Sequence, residues 1–380
     1  MDISSETKGK SPQKMSAVCM VGAFPPPLHG MAAVNAAMHE RLLSKGADPL
    51  VINLAAPSLD RRLSVRLLRL PRIFQGLINL SCTRGLRNGV LYMSVSGGMG
   101  QIYELAFLLL ARLRSMRIFL HHHTFAYIDI RSRVTASLVR TAGAKATHIV
   151  LSSGMAARFE QTYSHARLIV PISNVVFLLV TTALRVQTRQ RLQVIGFLSN
   201  ISPGKGVFEF LDLCAAIQSK GLSIHARLAG PFQDATIERQ VRQKLVELPG
   251  VDYVGPRYGI EKDAFYLGID ALVLPTRLNE AEPLIIHEAM SCGIPVIAYG
   301  RGCIPEIVSP KCGLVVPPED AFVPAALAQI EAWIAVPQAF QAASAAAAAR
   351  FATLLAESLR RWEDIQADLL DVQLHKAKSK

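Results

Sequence analysis

Short apolar runs alternate with longer amphipathic segments along most of the chain. In the first half, six apolar runs predict strands: Ala17–Phe24, Leu50–Leu54, Gly89–Val95, Ile118–His123, Ala146–Ser152 and Leu168–Val170. The segments between several of them have the periodicity of helices, as in Met31–Lys45, which Gly46 ends. Strands that alternate with helices are typical of an α/β protein with a parallel, doubly wound sheet.

The same pattern begins again after residue 190. A second set of six runs predicts strands: Gln193–Phe197, Ser223–Ala229, Val251–Val254, Ala271–Pro275, Pro295–Ala298 and Gly313–Val316. Two helices, Ala342–Ala349 and Phe351–Leu370, are predicted after them. Because 380 residues are too many for one ordinary α/β domain, we predict five parts. They are a disordered tail over 1–15, a Rossmann-like domain over 16–172, a linker over 173–192, a second Rossmann-like domain over 193–340 and carboxyl-terminal helices over 341–372.

The composition favours a cytoplasmic protein. Half of the residues are hydrophobic, which suffices for a large core, but no uncharged apolar run reaches about 18 residues. The first 15 residues are polar and lysine-rich, unlike a secretory signal. The six cysteines lack the Cys-x-x-Cys spacing of zinc sites, and most lie in apolar runs, as expected of reduced, buried thiols.

The excess positive charge lies entirely in the first half. Residues 1–172 contain 21 Lys and Arg against 8 Asp and Glu, a balance of +13, whereas residues 173–380 contain 20 and 21, a balance of −1. Such asymmetry favours an anionic partner, either a surface or a substrate. Arginines also recur among leucines at near-helical spacing, at Arg61, Arg62, Arg66, Arg69 and Arg72. They predict peripheral binding to the inner face of the plasma membrane, or a core helix with a solvated basic face. Nucleic acid is disfavoured, because aromatics make up only 7% and do not interleave with these arginines.

Two acidic residues mark the candidate chemistry. Glu280 and Glu288 stand eight positions apart, in a loop and in the helix that follows it. Loops at the carboxyl ends of parallel strands are where such sheets bind ligands, and carboxylates accept hydrogen bonds from the vicinal hydroxyls of a sugar or a ribose. The alternative is an acid that only stabilises a helix amino terminus, which suits Glu282 before Pro283 better than it suits Glu288.

A glycine-rich turn, Ser202–Gly206, precedes another predicted helix. A helix amino terminus attracts anions, and Lys205 would add a positive charge, so the turn suits a diphosphate. An ordinary surface turn has the same composition and stays an alternative.

Together these motifs resemble the glycosyltransferase group 1 family. Its signature is Glu, seven residues, Glu and then Ala-Met-x-x-Gly-x-Pro-Val, which Glu280 to Val296 match. Gly302–Val308 resembles the family's Gly-x-Pro-Glu segment, and Gly313–Pro317 resembles its Gly-Leu-x-Val-Pro strand. The resemblance implies the GT-B fold, in which two doubly wound Rossmann-like domains face each other across a cleft. We also expect the carboxyl-terminal helix to return to the amino-terminal domain.

The resemblance further implies a retaining glycosyltransferase that uses a nucleotide sugar as co-substrate, with no cofactor and no metal. Glu280 would contact the transferred sugar, Glu288 the ribose and Lys205 the diphosphate. Other residues on the donor side would be Asn200, Gly206, Ala281, Glu282 and Leu284. The acceptor would be a saccharide or a lipid-linked saccharide, in the synthesis of an envelope or extracellular polysaccharide.

The first half would contribute a histidine and a glycine. The family has a histidine at the end of the fourth strand, near the reacting carbon, and spacing favours His123, with His122 close behind. Alternate strand residues face the same way, so His121 and His123 share a face; a metal site or a polar strand end are the alternatives. Gly30 could let backbone approach the donor or acceptor, or could belong to an ordinary turn.

Two departures from the family pattern concern the donor. Asn200 stands where an arginine is common, so Arg277 or Arg301 would have to supply that charge. Ala281-Glu282-Pro283 replaces Gly-Phe-Gly, and Pro283 removes one N–H donor. The other functions considered are a nucleotide-sugar epimerase or phosphorylase on the same fold, and a non-catalytic protein that binds nucleotide sugars or anionic surfaces.

Overall fold

The computed structural model describes residues 17–26, 30–55, 69–180 and 188–370. The predicted tail over 1–15, residues 181–187 of the predicted linker and three of the arginines, Arg61, Arg62 and Arg66, lie outside these ranges.

Twelve strands alternate with helices within the described residues, as predicted. The strands are β1 Val18–Gly22, β2 Leu50–Asn53, β3 Val90–Val95, β4 Arg117–His122, β5 Thr147–Val150, β6 Leu168–Pro171, β7 Val194–Leu198, β8 His225–Ala229, β9 Val251–Gly255, β10 Ala271–Leu274, β11 Val296–Tyr299 and β12 Gly313–Val316. Each predicted strand has a counterpart whose ends lie within two residues of the prediction.

The helices cover both faces of the sheets. They are α1 Gly30–Ser44, α2 Leu70–Cys82, α3 Gln101–Leu113, α4 Ala126–Asp129, α5 Arg133–Ala142, α6 Ser153–Thr162, α7 Val207–Ser219, α8 Ala235–Val246, α9 Gly259–Leu267, α10 Leu284–Ser291, α11 Ile304–Ile307, α12 Phe322–Ala335 and α13 Pro337–Leu370. A 3₁₀ helix, Asn174–Val180, follows β6 at the start of the predicted linker.

The strands form two parallel six-stranded sheets. The first has the order β2-β1-β3-β4-β5-β6 and the second β12-β11-β10-β7-β8-β9. The second is the Rossmann order, which reverses between β7 and β10; in the first, the order reverses between β1 and β3. Ligands bind outside the carboxyl ends of the strands at such reversals, so the loops after β7 and β10 are the first place to look for a site.

The first sheet is buried on both faces, as parallel sheets generally are. On one side its core includes Ile73 of α2, Phe107 of α3 and Leu138 of α5. On the other side it includes Met38 of α1 and Trp362 of α13. All six residues of β3 are buried; five of them are apolar, and the hydroxyl of the sixth, Ser94, donates to the side-chain oxygen of Asn35.

Helix α13 connects the two halves. Two helices were predicted here, but one helix of 34 residues is observed, since Arg350 between the two predicted segments is a good helix former. Phe340 packs in the core of the second half, whereas Trp362 packs with Met38 and Tyr92 in the core of the first half. The predicted return to the first half is confirmed. By length and composition, α13 is the one described helix that could cross a membrane; Phe340 near its beginning and Trp362 near its end are buried in the protein.

Candidate active site

The loops after β7 and β10 bring Lys205 and Glu280 together. Lys205 Nζ forms a salt bridge with Glu280 Oε1, which also accepts a hydrogen bond of 3.2 Å from the hydroxyl of Thr276. The side chains of Lys205 and Glu280 are 25% and 17% exposed. A ligand in the cleft can therefore reach both charged groups. The structure thus places two predicted site residues at the reversal point of the second sheet.

Gly206 allows this close approach of the two loops. Its φ of +84° is a left-handed conformation that side chains disfavour, and a Cβ atom at this position would lie 2.1 Å from the carbonyl oxygen of Pro275. The backbone N–H of Arg277 donates to the carbonyl of Gly204 at 3.0 Å. Gly206 therefore has a structural reason to be glycine, whether or not it also contacts a ligand.

A third loop, after β11, supports the Glu280 backbone. Gly302 has a φ of +57°, and a Cβ atom there would lie 1.5 Å from the carbonyl oxygen of Glu280. The backbone N–H of Cys303 donates to the carbonyl of Ala281 at 3.2 Å. The Gly-x-Pro-Glu-like segment thus packs beneath the loop that presents Glu280.

Glu288 is buried and already has two partners. Its Oε1 accepts from Lys262 Nζ at 2.5 Å and its Oε2 from the Tyr266 hydroxyl at 2.7 Å. Burial first, and then the Glu288 charge, raise the pKa of Tyr266 well above its usual value. Both partners lie on α9, and only their four-residue spacing could have indicated them in the sequence. The predicted contact with a ribose stays a prediction.

The side chain of Glu282 points away from the cleft. It accepts hydrogen bonds from the Ser173 hydroxyl and the Asn174 N–H, both at 2.5 Å, and pairs with His287 Nε2 at 2.8 Å. Pro283 is the N-cap of α10, so Glu282 lies just before the helix. The carboxylate therefore anchors this loop, while the roles of the backbone N–H groups of Ala281, Glu282 and Leu284 stay predictions.

The three consecutive histidines have different environments. His121 and His122 are buried, whereas His123 follows the end of β4 and is half-buried. His121 Nδ1 bonds to the Tyr92 hydroxyl at 2.6 Å. Both ring nitrogens of His122 are used, by Tyr127 at 2.8 Å and His148 at 3.0 Å. Of the three, His123 has the most exposed side chain, and its predicted place near the reacting carbon stays a prediction.

Burial keeps these inner histidines neutral. It lowers the pKa of His121 and His122 well below the usual value, with neighbouring histidines adding to the effect, and it lowers the pKa of His148 to about 4. No group of three His, Cys, Asp or Glu side chains that could hold a metal ion is found in the part of the chain that the structure describes.

Polar contacts join the two halves, and they include the side chains of Asn279 and Glu306. Asn279, next to Glu280, donates from its side chain to the carboxylate of Asp129 in the first half. Glu306 accepts from the Ser152 hydroxyl at 2.5 Å and from the Gly154 N–H at 2.9 Å, at the amino terminus of α6. Neither pair could be predicted from the sequence, because each joins residues about 150 positions apart.

The remaining predicted residues differ in their exposure and in the contacts that they already form. Asn200 is exposed directly after β7. Gly30 begins α1, and no atom lies within 4 Å of the position of a Cβ there. Arg277 is paired with Glu209 at 2.5 Å. Among the described residues Arg301 forms no salt bridge, and its buried Nε atom has no hydrogen-bond partner. Arg301 is therefore a better source than Arg277 for the cation that Asn200 does not supply.

The second half of the chain resembles known glycosyltransferases in sequence. Residues 192–334 match the model of the family described as glycosyl transferases group 1. Curated relatives described as "Putative colanic acid biosynthesis glycosyltransferase WcaL" share 27% identity in Salmonella typhimurium and 29% in Escherichia coli, over 134 residues. That match covers 32% of this chain and 32% of each relative, so it spans about a third of their length.

Solved structures match almost the whole chain. HepE from Anabaena, in complex with UDP, has a TM-score of 0.68 at 16% identity and covers 92% of this chain and 100% of its own. Sucrose-phosphate synthase from Thermosynechococcus elongatus has a TM-score of 0.67 at 16% identity, with 93% and 97% covered. A glycosyltransferase from Rickettsia africae has a TM-score of 0.67 at 14% identity, with 93% and 98% covered.

The protein therefore has the GT-B fold of glycosyltransferases. Residues 192–334, which include Lys205, Glu280 and Glu288, match the model of the glycosyl transferases group 1 family. Both statements agree with what the motifs of the sequence implied.

Proposed function

We propose that this protein is a retaining glycosyltransferase that moves a sugar from a nucleotide-sugar donor to a saccharide or lipid-linked acceptor. The observation that carries the proposal is the Lys205–Glu280 pair. The pair lies where the strand order of the second sheet reverses, within the residues that match a glycosyltransferase family model. Similar structures contain UDP, and in one case UDP-glucose, which supports a nucleoside diphosphate sugar as the donor.

The donor would replace protein contacts seen in the structure. Its diphosphate would take Lys205 from Glu280, and the freed carboxylate would accept hydrogen bonds from the hydroxyls of the sugar. The ribose would lie against Glu288, whose carboxylate Lys262 and Tyr266 hold in place. Gly206 and Asn200 would border the diphosphate and nucleoside side of this site.

The chemistry would need stabilisation of the leaving group. When the bond between the anomeric carbon and the diphosphate oxygen breaks, negative charge develops on the diphosphate. Lys205 and the positive amino-terminal ends of α7 and α10 would stabilise that charge without a metal ion. Arg301 is the proposed further cation. His123, at the end of β4, would face the reacting carbon from the first half.

The acceptor and the setting belong to the same proposal. The curated relatives carry the name of a colanic acid biosynthesis enzyme, which supports synthesis of an envelope or extracellular polysaccharide. We place the protein in the cytoplasm, peripheral on the inner face of the plasma membrane, with the basic first half toward an anionic surface.

A thermal-shift panel of UDP-, GDP- and ADP-sugars tests donor binding. The matching donor should raise the unfolding temperature of the full chain, because a ligand that binds only the folded state stabilises it. Glu288→Gln should reduce the shift, whereas Glu247→Gln, an exposed carboxylate at the end of α8, should leave it unchanged. No shift with any nucleotide sugar would contradict the proposal.

Product analysis then separates the alternatives. A transferase releases the nucleoside diphosphate and forms a glycoside, which Glu280→Gln should abolish. An epimerase would change the configuration of the sugar, and a non-catalytic protein would bind the donor without product. Release of a glycoside of inverted configuration would contradict retention alone.

A further inference from the structure

Helices α2 and α3 lie side by side on the first sheet and are joined at both ends. Near their beginnings, Arg69 Nη1 donates to the Tyr103 hydroxyl at 2.9 Å. Near their ends, the guanidinium of Arg114 donates to the carbonyls of Ser81 and Thr83, each at 2.5 Å. Their inner faces contribute to the core of the first half. The two helices therefore present one continuous outward surface.

That surface is apolar. Leu70, Phe74 and Ile78 follow each other every four residues along α2, and Ile102, Leu109 and Leu113 lie on the outer side of α3. All six are exposed, Phe74 at 64% and Leu113 at 83%. They are six of the sixteen exposed large hydrophobic residues in the described part of the chain. We call these six side chains the outer face.

The charges around the outer face have one sign. Between residues 69 and 117 the chain has seven arginines, no lysine and one acid, Glu104, which is buried. Three of the arginines, Arg84, Arg87 and Arg112, are exposed and form no salt bridge with any described residue. Exposed apolar side chains beside uncompensated cations complement the interface of an anionic bilayer, where acyl chains lie next to negative headgroups.

We propose that the protein lies on an anionic membrane through the outer face of α2 and α3. A second copy of the chain fits less well, because two-fold pairing of this face would bring arginines against arginines. This surface differs from the one predicted from the sequence, which relied on Arg61 to Arg72. The structure adds the exposed apolar residues of α3 and the arginines that follow α2.

One end of the outer face lies near the cleft. Both helices follow parallel strands, so both begin at the carboxyl ends of those strands, on the cleft side. Leu70 and Ile102 are therefore at the cleft end, and each 13-residue helix extends about 20 Å away from it. A lipid-linked acceptor in the bilayer would be close to the cleft. This last step rests on the proposed transfer of a sugar to a lipid-linked acceptor, and the outer face specifies which surface would give the proposed peripheral location.

Vesicle flotation of the full chain tests the surface without donor or acceptor. The probes are vesicles of phosphatidylcholine, alone or with one third phosphatidylglycerol. We expect flotation with the anionic vesicles and little with the neutral ones. Arg84→Gln, Arg87→Gln and Arg112→Gln together should weaken binding about 100-fold, at about fivefold for each charge.

Apolar variants distinguish insertion from charge attraction alone. Phe74→Ser with Ile78→Ser should reduce flotation at least tenfold, whereas Ile260→Ser should not, although Ile260 on α9 is more exposed than either residue. Because these side chains are exposed, the unfolding temperature should stay the same and is measured for each variant.

Undiminished flotation of the Phe74 and Ile78 variant, or equal binding to neutral vesicles, would overturn the proposal. So would a dimer that these substitutions dissociate, in a protein that does not float. Donor binding that persists without flotation would leave the proposed glycosyl transfer standing and would contradict only the peripheral location.

Discussion

Glu282 accepts a hydrogen bond of 2.5 Å from the hydroxyl of Ser173, a residue 109 positions earlier in the chain. Ser173 directly precedes the 3₁₀ helix at the start of the connection between the halves, and Glu282 lies two residues after Glu280. The loop that presents Glu280 is thus held from two directions, by this connection through Glu282 and by the backbone at Gly302. Its geometry depends on the arrangement of the two halves.

Replacing Glu282 should therefore affect both stability and donor affinity. Glu282→Ala removes the acceptor of three hydrogen bonds and leaves the buried Asn174 N–H without a partner. We expect the free energy of unfolding to fall by about 3 kcal/mol, as measured by urea denaturation. Ser173→Ala removes one of these bonds and should cost about 1 kcal/mol. The KM for the donor should rise in both variants, and more in Glu282→Ala. Unchanged stability of Glu282→Ala would show that these contacts contribute little.

Removal of the Lys205 charge should mainly affect turnover. If Lys205 stabilises the leaving diphosphate, Lys205→Ala should lower kcat about 100- to 1000-fold, and Lys205→Arg should restore part of the loss. Lys244→Ala is the matched control, since Lys244 forms an exposed salt bridge with Asp212 away from the cleft. Loss of donor affinity in Lys205→Ala with no change in kcat would mean that the lysine binds the ground state only.

The buried histidines and Glu104 should have opposite effects on stability as the pH changes. Burial lowers the pKa of His148 from 6.5 to about 4, so this side chain is neutral in the folded protein. The free energy of unfolding therefore decreases as the pH falls from 6.5 to 4, because the unfolded chain binds a proton that folded His148 does not. Burial raises the pKa of Glu104 from 4.5 to about 7. The contribution of Glu104 to the free energy of unfolding is therefore fully present below pH 4.5 and is lost as the pH rises through 7. Each shift corresponds to about 3 kcal/mol.

Single variants should separate the two effects. Between pH 4.5 and 6.5, Glu104→Gln should make the loss of stability on acidification steeper. His148→Gln should make it shallower, without abolishing it, because His121 and His122 act in the same direction. Urea denaturation across this range measures the slopes, with His225→Gln, which is exposed, as control. Equal slopes of the free energy of unfolding against pH in wild type, Glu104→Gln and His148→Gln would show that these two groups do not cause the pH dependence.

The sequence predicted local features well and long-range pairing poorly. All twelve strands were predicted from runs of apolar residues. A strand that is buried on both faces is recognisable from its own composition, as β1 and β10 are. Lys205 and Glu280 could be anticipated from motifs, and the strand order then explains why they meet. The partners of Glu288, Glu282 and Glu306 could not be found in the same way, because hydrogen bonds over such separations leave no periodic pattern. The long helix α13 was predicted as two, since nothing local marks whether two helical segments join.

The choice between Arg301 and Arg277 as the additional donor cation is the last test. The side chain of Arg277 is 60% exposed and paired with Glu209, so Arg277→Gln should change the KM for the donor less than twofold. Arg301 adjoins Gly302, which packs on the Glu280 backbone, and its guanidinium forms no salt bridge among the described residues. If it binds the diphosphate, Arg301→Gln should raise the KM about 10- to 100-fold, the value of a charged hydrogen bond. Arg301→Lys should recover part of the affinity, and restoring the family's arginine with Asn200→Arg should compensate for Arg301→Gln. A larger effect of Arg277→Gln than of Arg301→Gln would reverse the assignment.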